Sequence, residues 1–294
     1  MYLQASLILC YLLFTACSHL GATKTSALSV QDLEELNQIP IYDAHTHIDF
    51  DSELQEDTGF RYTKEELEAQ MKEAHAVALV SHSSRSGALL PHNNIPAVRC
   101  LAVTDKMSVR EANQLLASKE YRCLKIYLGY VYRWAKDPFY KQFYRLARKY
   151  KVPVVFHTGD TYDVNGHLKY ADPLTIDEVA VEFRDVNFVI AHLGNPWIAS
   201  AAEVVYKNPN VYVEASAMMI GDFKNYTEEE LQEYVIQPIA WAFGYIENPK
   251  KFMFGTDWPL VRIKDYRDVY ARAIPKKYWR AVFYDNAVRL FGLP

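Results

Sequence analysis

The sequence predicts an α/β fold, a single closed (β/α)8 barrel of the TIM type, on three observations. Eight short β-branched or apolar runs alternate with charged segments of helical period, the pattern of parallel strands joined by crossover helices. No glycine-rich first turn of the kind that opens a doubly wound sheet is present. The chain has 294 residues, 50% hydrophobic and 23% charged. That is ample for one barrel of about 250 residues with a sizeable core.

The strand runs fall at 41–47, 76–81, 98–104, 123–128, 153–157, 188–192, 211–216 and 252–257. They are short and rich in Val, Ile, Phe and Ala, as strands buried on both faces should be. Amphipathic segments at 64–74, 109–119, 139–150, 174–183, 197–206, 228–245 and 266–273 supply the helices. No linker or short-period repeat interrupts residues 24–294, which therefore form one domain.

Residues 1–23 read differently. The first charged side chain is Lys24, and 3–14 is mostly Leu, Ile, Ala and Tyr, too short a run for a membrane span of about 20 residues. This is an export signal. Thr15-Ala16-Cys17 resembles a bacterial lipobox, with Cys17 acylated after cleavage, although Phe14 replaces the usual Leu and the first residues carry no Lys or Arg. A plain secretory signal is the alternative. The expected location is outside the cytoplasm, periplasmic or membrane-anchored as a bacterial lipoprotein, with contact to the membrane only through this N-terminus. Cys100 and Cys123 remain in the domain, on neighbouring strands, where a single bridge can form but is not implied.

Thirty-two Lys and Arg against 36 Asp and Glu, with no basic run, argue against a nucleic-acid partner. The 22 Tyr are scattered and read as packing residues. The expected partner is a small-molecule substrate, and a homo-oligomer stays open.

In a barrel of this kind the site lies where the strands end. Those ends carry His45 and His47, His82, Lys125 with Tyr127, His157, His192, Glu214 with Ser216, and Asp257. His82 alone reads as a hydrogen-bonded core histidine. In Asp43-Ala44-His45-Thr46-His47 the two histidines are two apart on a strand, so both imidazoles face the same way. Phe156-His157-Thr158-Gly159, Ala191-His192-Leu193-Gly194 and Gly255-Thr256-Asp257-Trp258-Pro259 bring further ligand-type residues to the same mouth. Imidazole and carboxylate without thiolate suit a divalent transition metal, zinc first.

These motifs, with the closing Asn286-Ala287-Val288-Arg289-Leu290-Phe291, resemble in order the pattern of the amidohydrolase superfamily. Within it they resemble the amidohydrolase-related branch of metal-dependent barrel hydrolases and decarboxylases. The resemblance implies His45, His47, His157 and Asp257 as metal ligands, with Asp257 and His192 catalytic. It implies one ion ahead of two; a second would use Lys125, carboxylated, and His192. Lys125 is expected to be unmodified, partnered by a carboxylate such as Glu214. Lys125, Tyr127 and Arg85 are candidates to bind substrate, and Tyr127, Tyr130, Tyr132 and Trp134 to wall the pocket. The leading activity is hydrolysis of a small ester, lactone or amide. The alternatives are a non-oxidative decarboxylase of a small carboxylic acid and a catalytically silent exported binding protein.

Overall fold

The computed structural model describes residues 27–294 except 57 and 92. The expected signal segment 1–23, Cys17 included, lies outside the described residues. Eight parallel strands pair in chain order: β1 Ile41–Thr46, β2 Ala76–His82, β3 Ala97–Ala102, β4 Cys123–Tyr127, β5 Val154–His157, β6 Phe188–Ile190, β7 Val211–Glu214 and β8 Phe252–Met253. A ladder joins each strand to the next, with register shifts between β1 and β2, and β1 meets the β8 end through single backbone bonds. Ala44 N–H donates to Phe254 O at 2.9 Å, Asp257 N–H to His45 O at 2.7 Å and His47 N–H to Trp258 O at 2.8 Å. The barrel is thus nearly closed, and its seam runs directly beside the strand ends that carry ligand-type residues.

Helices lie in the gaps where the periodicity predicts them, and among the described residues the β2–β3 gap, for which it offers no helical segment, is the one without. The helices start at side-chain caps where the sequence offers them: Thr63 before Lys64–Ala74, Ser108 before Val109–Ala117 and Asp137 before Pro138–Tyr150. None of the described helices is long and apolar enough to cross a membrane.

Burial divides into two shells. Leu79, Leu101, Leu124, Phe156 and Phe188 pack outward against the helices. Tyr42, Val80, Val98, Val155 and Met253 fill the barrel interior, plugged at the amino-terminal end by Ala287 and Phe291 of the last helix. Cys100 and Cys123 are register partners on β3 and β4, both fully buried in this interior, and they are joined in a disulfide with Cα atoms 4.4 Å apart.

The strands end earlier than expected at several site residues: His47 and Ser216 follow the ends of β1 at Thr46 and β7 at Glu214. β6 stops at Ile190 and β8 at Met253, so His192 and Asp257 sit beyond the strands. Both adopt left-handed backbone, with φ of 58° and 63°. Such values are uncommon outside glycine, and over-determined surroundings must hold them.

Candidate metal centre and active site

Asp43 supplies those surroundings at β8. Its Oδ1 accepts N–H from His45 at 3.1 Å and from Thr256 at 2.9 Å, while Oδ2 accepts the Thr256 hydroxyl at 2.5 Å. The Gly255-Thr256-Asp257 turn is thereby tied to the His45 strand. Burial raises the Asp43 carboxyl to about 7, against the Thr256 and His45 donors that favour its anion. Gly255 is required by space: a Cβ there would stand 2.9 Å from Glu214 Oε2 and 3.1 Å from His45 Cβ. At Gly159, φ is +83° and a Cβ would meet Asn195 O at 2.1 Å, so only glycine lets the β5 loop pass the β6 loop.

Held this way, Asp257 Oδ1 stands 3.4 Å from His45 Nε2 and 3.3 Å from His47 Nε2. Neither contact has the alignment of a hydrogen bond, and the buried Oδ1 has no partner. Neighbouring donors around a tetrahedral ion with bonds of about 2.0–2.1 Å stand about 3.3 Å apart, so the three atoms suit a divalent cation. His45, His47 and Asp257 form one group whose donor atoms all lie within 4.8 Å of one another, and His45, His192 and Glu214 form another.

Glu214 orients the first of these ligands. Its Oε1 lies 2.6 Å from His45 Nδ1 and also accepts the His192 N–H at 3.2 Å, and Oε2 accepts the Ser216 N–H at 2.7 Å. With His45 Nδ1–H committed to Glu214, Nε2 carries the lone pair, the usual arrangement behind a ligating histidine. Glu214, the carboxylate expected beside Lys125, accepts its hydrogen bonds from His45, His192 and Ser216 and meets the ammonium through its charge. Fully buried Lys125 reaches His45 Nε2 at 3.2 Å, and its Nζ sits 5.3 Å over the Tyr127 ring. Burial pulls the ammonium down and pushes Glu214 up, and each opposes the other's shift across the site.

His157 and His192 pair with each other at 3.1 Å, Nδ1 to Nε2, and His157 Nε2 bonds to the Asp160 carbonyl at 2.8 Å. His157 is thus placed beside the His45, His47, Asp257 group and not in it. Burial lowers the imidazoles of His45 and His157 well below the ordinary range and His192 to about 4. Asp257 is held in the opposite sense. Burial alone would raise it, but the rings of His47 and His192 and the Lys125 ammonium keep it well below the carboxylate range.

Two adjoining cavities of about 350 and 380 Å³ open above these groups. They share His157, His192, Asp257 and Tyr130, so each is one lobe of a space centred on the reactive side chains. Tyr127 gives the first lobe a ring face while its hydroxyl donates to Ser83 O at 2.8 Å. Arg85 reaches the first lobe from the β2 loop, stacked 4.1 Å over Tyr130 and paired with Asp163 at 3.2 Å. Tyr132 and Trp134 turn away, onto His167 and Tyr170. His82 is fully buried, as a core histidine, and packs edge-on against His45, ring centres 4.2 Å apart, with the Ala44 backbone as the polar group facing its ring. Sequence reasoning missed Asp43 and the task of Glu214, and passed over Asp49, Asp51, Gln55 and Asp160 on the cavity walls. The only sequence signal for Asp43 is its place at the head of the His45-Thr46-His47 motif.

Residues 42–293 match the model of the family described as Amidohydrolase. The chain belongs to this amidohydrolase family. No curated protein matches the sequence. Solved structures share the fold at low identity. A 5-carboxyvanillate decarboxylase of Sphingomonas paucimobilis is 11% identical at a TM-score of 0.63, covering 87% of this chain and 100% of that one. An amidohydrolase of Burkholderia multivorans with bound zinc is 14% identical at 0.62, with 87% and 100% covered. A probable 2-pyrone-4,6-dicarboxylic acid hydrolase of Acinetobacter baumannii is 14% identical at 0.59, with 86% and 100% covered.

Proposed function

We propose that this amidohydrolase is a metal-dependent hydrolase of a small ester, lactone or amide. The observation that carries the reading is the unpartnered, buried Asp257 Oδ1 facing His45 Nε2 and His47 Nε2. These three residues would hold one divalent ion, zinc first, with His157 and His192 beside it. A bound ion of this kind supplies Lewis acidity, which lowers the pKa of water toward about 7. Asp257, kept ionised by its neighbours, takes the proton of the attacking water and delivers it to the leaving group. His192, whose ring lines both lobes, faces the carbonyl oxygen on which negative charge develops. Tyr127 and Tyr130 provide flat walls, and Arg85 meets an anionic substituent at the mouth.

Relatives in fold carry names of both a hydrolase and a decarboxylase. Hydrolysis is favoured here because Lys125, the cation on the cavity floor beside the reactive groups, is fully buried and directed at His45 and not at a departing carboxylate. Zinc-reconstituted protein screened against lactones, esters, amides and aromatic carboxylic acids tests the reading. Turnover confined to the acids, with release of carbon dioxide, would replace it with decarboxylation. Binding of such compounds without turnover of any would favour the silent binding protein.

We infer further that the domain works outside the cytoplasm, held by an acylated Cys17. The buried Cys100–Cys123 bridge supports export, since structural disulfides persist in oxidising compartments. Cys17→Ala should release the exported protein from the membrane; an unchanged distribution would leave a plain secretory signal.

A further inference from the structure

The two lobes of the cavity differ in what walls them. Asp49, Asp51 and Arg85, all charged and exposed to water, stand around the first lobe only. Ala217 and Ile220 stand around the second only, and Leu260 joins them from the loop after β8. On the other side of the second lobe, the Thr158 hydroxyl is spent on the Ala191 carbonyl at 2.7 Å, and Asp160 is exposed.

The apolar wall is fixed to the reactive end of the barrel. Leu260 N–H donates to the Asp257 carbonyl at 3.0 Å, so its side chain follows the reactive carboxylate by one tight turn. The Leu260 carbonyl accepts the Gly221 N–H at 2.7 Å, and Gly221 bridges to Val261, which joins the loop after β7 to the loop after β8. The Tyr226 hydroxyl donates to the Ile220 carbonyl at 2.7 Å, and the Tyr266 hydroxyl holds both Ala215 O and Met218 N–H on the same loop. These bonds fix the backbone and leave the side chains of Ile220 and Leu260 half-buried at the cavity.

We infer that the substrate carries a hydrocarbon group on one side of its scissile bond, seated in the second lobe against Ile220 and Leu260, which set the length accepted. His157, His192 and Asp257 line both lobes, so a carbonyl reacting at their junction sends one substituent into each. A hydrocarbon in the first lobe would take water from Asp49, Asp51 and Arg85 without replacing its hydrogen bonds, whereas in the second it covers apolar side chains already presented to it. At about 380 Å³ the second lobe lies at the small end of ligand pockets, which suits a chain of several carbons and not a long lipid tail. The inference rests on the hydrolase reading.

Straight-chain hydroxamic acids, from acetyl to octanoyl, ligate a divalent metal through the head group and report the lobe through the tail. Calorimetric titration into zinc-loaded protein should show affinity rising about three- to fourfold per methylene up to a limiting length and then levelling. Ile220→Asn and Leu260→Asn should each flatten the rise, and Ile220→Trp, which narrows the lobe, should move the limit to a shorter chain. Val164→Asn, at a position 97% exposed on the β5 loop and outside both lobes, should leave the rise as it is. The 4-nitrophenyl esters of the same acids should follow the same order in kcat/KM. Affinity independent of chain length in the wild type, a rise that survives Ile220→Asn and Leu260→Asn, a limit unmoved by Ile220→Trp, or failure of every hydroxamic acid to bind would overturn the inference. If Ile220→Asn and Leu260→Asn do not fold, Ile220→Trp decides it. A chain-length rise in binding without turnover of any ester would count against the hydrolase reading and leave the lobe assignment standing.

Discussion

The floor and the rim of the cavity are built on different principles. On the floor, His45, Lys125, Glu214, Asp43 and Ser216 are almost wholly buried, and their bonds run to one another. At the rim, Arg85 and Asp163 are partly exposed and joined by one ion pair, and Tyr162 is 88% exposed. Buried polar groups must be satisfied nearly completely, so a change on the floor propagates. Exposed ion pairs are worth little, so a change at the rim stays local. On the proposed function, the chemistry belongs to the first region and the choice of substrate to the second.

The largest effect expected from breaking the floor is on turnover. Asp257→Asn should reduce kcat by about 10³-fold or more, since the amide cannot accept the proton, with much of the metal retained. Full activity in this variant would remove Asp257 from proton transfer.

Burial on the floor also has a pH signature. The folded-state value of His192, about 4, lies below the ordinary 6.5, so between these values the unfolded chain binds a proton that the folded protein refuses. The corresponding stability is present above about pH 6.5 and lost as pH falls through about 4, some 3 kcal/mol in all. Asp43 and Glu214, raised by burial, act in the opposite sense, so the term is isolated by comparing metal-free wild type with His192→Gln in denaturant titrations. Equal pH slopes for the two proteins between pH 6.5 and 4 would contradict it.

The disulfide sharpens the comparison from inside the barrel. It links residues 23 apart, so Cys100→Ala with Cys123→Ala should cost about 3 kcal/mol, read as a lower denaturation midpoint. The rim should yield least. Arg85→Ala should raise KM for an anionic substrate about tenfold at most, with kcat nearly unchanged and stability within about 0.5 kcal/mol. A collapse of kcat in this variant would place Arg85 in the chemistry and erase the division between floor and rim.

What was legible in the sequence follows the same division. His45 and His47, separated by one residue, and Lys125 two residues beyond Cys123 follow strand alternation, and local pattern placed them correctly on the inner face. His192 and Asp257 could be assigned to the mouth but not to their left-handed turns. Those turns are held by bonds from Asp43 and Glu214, residues at least 22 positions away in the chain. The disulfide depended on the register of β3 against β4, which no single-strand pattern reveals. Glu214 was legible as a counter-charge for Lys125 because charge is visible in a sequence, whereas the geometry that draws its hydrogen bonds from His45 and Ser216 is not.

Elemental analysis of the purified protein, side by side with a His45→Ala, His47→Ala double variant, tests the central claim most directly. The wild type, purified without chelator or reloaded with zinc, should hold about one equivalent of divalent transition metal, and the double variant almost none. A wild-type protein that cannot be loaded with zinc, manganese or iron, or one that binds the same amount with and without the two histidines, would contradict it.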